Sequence, residues 1–219
     1  MNKNNHIPEH YRDFIHKISH NLRLTPPLYI APLFLKWSVI SALPGIINIA
    51  FHARNDLLVQ LTTPLFYIPV TLLLIGLGLG MYGVLNSGFP GRESTTTRYL
   101  VFSSIGVGLW GLWYLAPLGN EIFYHHTLTL DNGVACSIHT LLLATPPLLS
   151  GLFLIRKLAP TKRRQSSLFL FAMATLIGVL IMNFLCPAAH ATHILTWHFL
   201  PVTAMSIIGA MLGTKLLKW

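Results

Sequence analysis

SLFLFAMATLIGVLIMNFLCPAAHATHILTWH, residues 167–198, is the stretch on which the fold turns. From Ser167 to Leu185 it is an almost unbroken apolar run. A hydrocarbon core about 30 Å thick is crossed by about 20 such residues as an α-helix. The run stops at Cys186-Pro187, and the segment Cys186–His198 then carries one thiol and the imidazoles of His190, His193 and His198. Apolar sequence resumes and continues to Leu216. The segment is therefore a short polar knot between two membrane-spanning helices.

The same apolar pattern recurs along the chain. Spans are expected at Pro32–Phe51, Thr63–Leu85, Tyr99–Leu118, Val134–Ile155, Ser167–Leu185 and His193–Leu216. Of 219 residues, 53% are hydrophobic and 10% charged, far from the roughly 25% charge of a soluble domain. The expected fold is all-α, a polytopic membrane protein in which a six-transmembrane-helix bundle (28–219) follows a polar tail (1–27). A cleavable signal peptide is not expected, because the first apolar run starts after about 27 polar residues and has no small-residue cleavage site. Prolines 44, 64, 69, 146, 147 and 201 lie in or near spans, where neighbouring helices can accommodate kinks. Gly76-x-x-x-Gly80 and Gly209-x-x-x-Gly213 read as close helix contacts.

A net charge of +9 raises nucleic-acid binding, but its distribution argues otherwise. Lys3, Arg12, Lys17, Arg23, Lys36, Arg92, Arg98, Arg156, Lys157, Lys162, Arg163, Arg164, Lys215 and Lys218 fall on one side of the expected topology, and Arg54 alone on the other. Basic residues collect in cytoplasmic loops, so both termini are expected in the cytoplasm. The charge then sets orientation and touches anionic membrane lipid, and no direct contact with nucleic acid is expected.

Within the tail, Tyr11, Phe14, Ile15, Ile18 and Leu22 fall three or four apart, on one face of a helix of about four turns. Arg12, Asp13, His16, Lys17 and His20 fill the other faces. A short helix is marginal alone in water, so this one needs a membrane surface or a protein partner.

On the opposite side, Cys136 begins the fourth span and Cys186 ends the fifth. Consecutive antiparallel helices put both sulfurs at one depth. Cys136-x-x-His139 places a thiol and an imidazole at i and i+3, and His190, His193 and His198 follow Cys186. Thiolate and imidazole together suit soft or borderline ions such as zinc, copper or cadmium. Three readings stand open: a structural disulfide, a redox- or metal-responsive thiol pair, and thiols packed as small apolar groups. His139, His190, His193 and His198 are candidate auxiliary metal ligands.

Enzyme chemistry is not expected. Glu121, Asp131 and Asp56 are the only acids on that side and are read as loop residues. No acid lies within a crossing to act as a proton relay. Ser103-Ser104 and Thr95-Thr96-Thr97 have no basic partner to activate a nucleophile. A quinone-linked thiol oxidoreductase would need a second reactive pair, and the chain has two cysteines in all.

Cys186-Pro187, then Trp197-His198, then the terminal run Gly209–Trp219 resemble the NrsF family, the six-helix inner-membrane anti-sigma factors of bacteria. The inner stretch Leu154–Pro160 is similar to the family's basic Ala-Pro loop, and Cys136 matches its earlier cysteine. The resemblance is most specific from Cys136 to Trp219 and weaker before residue 100. Lys215 and Lys218 stand where arginine is more usual, and the histidines around Cys186 are additional.

The resemblance implies a non-enzymatic regulator of the bacterial inner membrane that needs no cofactor. Its cytoplasmic tail would hold an extracytoplasmic-function sigma factor, and the cysteine pair would release it on meeting heavy metal or oxidant. A small transporter or metal-binding membrane protein with a Cys/His cluster is the alternative, distinguished by a tail that can be deleted without effect on transcription.

Overall fold

The computed structural model describes Tyr11, Asp13 and residues 29–115, 130–188 and 191–218. Among them there is no strand, and six long helices account for most of the chain: α1 (Ile30–His52), α2 (Pro64–Asn86), α3 (Glu93–Leu115), α4 (Leu130–Arg156), α5 (Arg163–Leu185) and α6 (Ala191–Leu216). A single turn, Leu57–Gln60, sits in the α1–α2 connection. Helix ends fall within a few residues of the expected spans, except that α3 starts six residues early and α4 and α5 four each. Asp131 consequently lies in the first turn of α4 and not in a loop.

Five of these helices are long and apolar enough to cross a membrane; six were expected. The exception is α3, which has 23 residues like its neighbours but opens with Glu93-Ser94-Thr95-Thr96-Thr97-Arg98. Two polar turns leave it an apolar stretch, 99–115, only about 26 Å long at 1.5 Å per residue.

Helix α5 is the axis of the bundle. It packs against α1, α2, α4 and α6, and Leu170, Leu176 and Val179 along it are almost fully buried. Small residues set the close approaches. A side chain at Gly178 would overlap the Thr140 carbonyl of α4, and Gly209 and Gly213 of α6 lie against the Ser167 and Arg163 carbonyls of α5. Gly76 and Gly80 face Ser103 of α3, whose hydroxyl donates to the Gly76 carbonyl at 2.7 Å. These pairings run antiparallel, α2 with α3, α4 with α5 and α5 with α6. Both glycine pairs thus serve packing, as their spacing suggests.

Trp37 ties α1 in. It is fully buried over Gly151, and its indole N–H donates to the Pro147 carbonyl at 2.8 Å. Apolar side chains also cover the outside: Leu35, Phe102, Leu142, Phe153 and Met211 are all more than half exposed. Surface of that kind gains about 25 cal/mol per Å² on leaving water, as it would against lipid.

Alternation of the helices puts the α2–α3 and α4–α5 connections at one end of the bundle. Among the described residues Arg54 is the one lysine or arginine at the other end, where Cys136 and Cys186 lie.

Candidate functional site: a thiol and imidazole cluster

The Cys186 end is assembled from α4, the end of α5 and the start of α6. Glycine at position 178 lets α5 lie directly on Thr140, one turn after Cys136. The two sulfurs, fifty residues apart in sequence, come to 3.6 Å and stand as free thiols. Cys186 is buried and Cys136 half-buried.

Two imidazoles close on them. His193 Nε2 lies 3.5 Å from Cys186 Sγ, and the His193 and His198 rings are 5.2 Å apart, edge to face. Residues five apart on an α-helix point about 140° from one another. Here Ile194–Phe199 form a π-helical turn, whose wider i→i+5 repeat returns His198 to the His193 face. The turn is pinned to α4, where the Ser137 hydroxyl donates to the Trp197 carbonyl at 2.6 Å and the indole lies against Gly133. Both imidazoles are buried, with only 3% exposure each.

Second contacts orient the cluster. Thr140 Oγ1 is 3.2 Å from His198 Nδ1. Arg54 donates to the Cys186 carbonyl at 3.2 Å and to the Pro187 carbonyl at 3.4 Å, while its other N–H groups hold Asp56. Arg54 is thus a clamp across the end of α5.

The guanidinium holds the Asp56 carboxyl at about 2, below its ordinary 3.8. A lowered folded value stabilises the fold above the ordinary pKa, and the contribution disappears as pH falls through about 2. The margin in melting temperature of the solubilised protein over an Arg54→Gln variant is expected to stay level down to about pH 4 and to narrow below it. In Arg54→Gln the folded Asp56 value returns toward the ordinary one, so that acid step shrinks. An identical pH profile in both proteins would show that Arg54 does not govern Asp56.

The Cys186 thiol is held well below its ordinary range, chiefly by a hydrogen bond from the Cys136 thiol and then by His193 and His198, against a desolvation that acts the other way. The thiolate is the nucleophilic and metal-binding form of a cysteine. A cavity of about 910 Å³ reaches it, walled by Arg54, Tyr114, Asn183, Cys186 and His198. Its rim includes Leu65 and Leu112, which are exposed on the apolar surface.

Of the residues expected here, Cys136, Cys186, His193 and His198 are brought together, with one donor atom from each lying within 4.8 Å of all the others. His139 does not join them. At i+3 it falls on an exposed flank of α4, where Nδ1 lies 3.0 Å from the Ala135 carbonyl. The inward position is i+4, occupied by Thr140, which lies closer in angle to Cys136. His190, and Phe14, Ile15, Ile18 and Leu22 of the tail, lie outside the described residues; Tyr11 is helical and exposed. Sequence reading passed over Thr140 and treated Arg54 only as an exception to the charge rule. Its being the single cation at that end was the available signal.

Comparison with known proteins shows the family of the chain. The chain is 24% identical over 172 residues to the "Probable anti-sigma-F factor NrsF" of Azospira oryzae, covering 77% of this chain and 79% of that protein. It is 30% identical over 180 residues to the "Anti-sigma-F factor NrsF" of Caulobacter vibrioides, with the same coverage. No solved structure matches it. The model of the family described as "Negative regulator of sigma F" matches residues 26–219, the whole membrane bundle with both cysteines, and the chain therefore belongs to the NrsF family.

Proposed function

We propose that this chain is an inner-membrane anti-sigma factor. Residues 1–27 hold an extracytoplasmic-function sigma factor on the cytoplasmic side, and the Cys136–Cys186 pair releases it on meeting heavy metal or oxidant. Family membership supports the anti-sigma role. The observation that carries the sensor is the approach of two sulfurs from different helices to 3.6 Å.

In this reading the basic end faces the cytoplasm, with both termini there. Helix α3 crosses beside α2, its polar turns 93–98 lying at the cytoplasmic headgroups. Tyr11, Phe14, Ile15, Ile18 and Leu22 dock into the sigma factor, each large side chain contributing about 1.5–3 kcal/mol when fully buried. Transmission requires two arrangements of α4, α5 and α6, each favoured by a different state of the thiols.

The family match begins at residue 26, so the tail's role rests on its amphipathic spacing. Deleting residues 1–25 tests it. The full-length chain should retain a sigma factor on affinity purification from membranes. The truncated chain should retain none, leaving the sigma-dependent reporter continuously on. Retention by the truncated chain, with the reporter still inducible, would overturn the assignment.

A further inference from the structure

We propose that Cys136, Cys186, His193 and His198 form a four-coordinate S2N2 site for a single thiophilic d10 ion: zinc, cadmium or cuprous copper. The proposal deepens the reading of the thiol pair as the signal input and rests on it.

Distances carry the argument. With metal–sulfur bonds of about 2.3 Å and metal–nitrogen bonds of about 2.0–2.1 Å, tetrahedral angles separate two sulfurs by about 3.8 Å and a sulfur from a nitrogen by about 3.6 Å. The two sulfurs here are 3.6 Å apart, and Cys186 Sγ and His193 Nε2 are 3.5 Å apart. All four donors fall within 4.8 Å of one another. The sulfur–sulfur and sulfur–nitrogen distances are those of ligands around an ion.

The surroundings have the form of a ligand shell. Thr140 engages His198 at Nδ1, which leaves Nε2 for the ion, as second-shell groups on metal-binding histidines do. Arg54 holds the peptide carbonyl of Cys186. A π-helical turn, a less stable form than the α-helix and frequent at functional sites, is what turns both imidazoles to the sulfurs. Two thiolates balance a divalent charge, which suits burial in an apolar bundle.

Binding of a divalent ion releases whichever protons the two sulfurs still carry and forms two metal–sulfur bonds, with no change of oxidation state. A disulfide instead removes two electrons and two protons from the same sulfurs, with the oxidant as acceptor. The two states exclude one another. One cluster can therefore accept a metal or an oxidant, but not both at once.

The test uses the full chain in detergent, reduced and metal-free. His6, His10, His16 and His20 of the tail are changed to Ala to remove adventitious imidazoles. Titration with Co(II) as a spectroscopic stand-in should give one equivalent per chain with a sulfur-to-cobalt charge-transfer band and intense tetrahedral d–d bands. Zn(II) and Cd(II) should displace it, and Cu(I) competition tests the monovalent arm. His193→Ala and His198→Ala should each weaken binding at least about tenfold, and His139→Ala should leave it unchanged. His193→Gln and His198→Gln replace either Ala variant that fails to accumulate. Absence of a one-to-one tetrahedral complex overturns the site, as does equal affinity in the histidine variants. Sigma-factor retention by the wild-type chain is measured in parallel: retention without ion binding defeats the site alone, and ion binding without retention defeats the anti-sigma reading alone.

Discussion

A Cys186→Ser chain is expected to lose the sigma-dependent transcriptional response to cadmium and to thiol oxidants, with induction falling to the uninduced level. The change is one atom. Serine occupies nearly the same volume among Cys136, His193 and the Ala188 carbonyl, so the protein should reach the membrane in normal amounts. Its hydroxyl is not thiophilic and forms no disulfide. Cys186 is also the sulfur held toward the thiolate by its neighbours, and that form attacks oxidants and binds metals. Cys136→Ser should be as inert, because disulfide formation and bridging both need the second sulfur. Reporter induction measured over a range of cadmium and oxidant doses decides the matter. Undiminished induction in either variant would reduce the pair to packing.

The second large effect is expected away from the cluster, at Gly178→Leu. A Cβ there already overlaps the Thr140 carbonyl, and backbone does not yield as a side chain tip does. Helices α4 and α5 must separate or slide. Overpacking of this kind costs about 1–3 kcal/mol, and here the displacement falls one turn from Cys136. Two cysteines whose Cα atoms lie more than about 7 Å apart cannot be bridged without backbone movement. Oxidative cross-linking of Cys136 to Cys186 in membranes should therefore fall by about tenfold or more, in line with an energy of that size. Gly78→Leu is the control, since nothing lies within 4 Å of a Cβ there. Equal cross-linking in the two variants would show that the α4–α5 contact does not set the sulfur spacing.

Much of the molecule was legible before any coordinates. A membrane helix is written in the length and composition of one local segment, so α1, α2, α4, α5 and α6 could be placed closely. The polar opening of α3 was visible as well, although its helical continuation back to Glu93 was not, because Ser and Thr next to a polar link resemble a loop. Charge alternation separated the two ends by a rule that depends only on segment order. Helix order then put Cys136 and Cys186 at one depth.

Depth is a one-dimensional quantity, fixed by counting residues along a span. The angular position of each side chain around its helix is not. His139 and Thr140 are adjacent in sequence, and only the contact across Gly178 makes Thr140 the inward one. His193 and His198 would diverge on an ideal α-helix, and a π turn held by Ser137 and Trp197 brings them together. Arg54 reaches the Cys186 carbonyl across 132 residues of chain. By itself, then, the sequence determined a helical membrane bundle with segregated charge and two thiols at one level, because each of those follows from local composition and order. The tertiary structure alone decided which imidazoles share the site with those thiols, because that choice is set by helix rotation and close backbone contact between segments far apart in the chain.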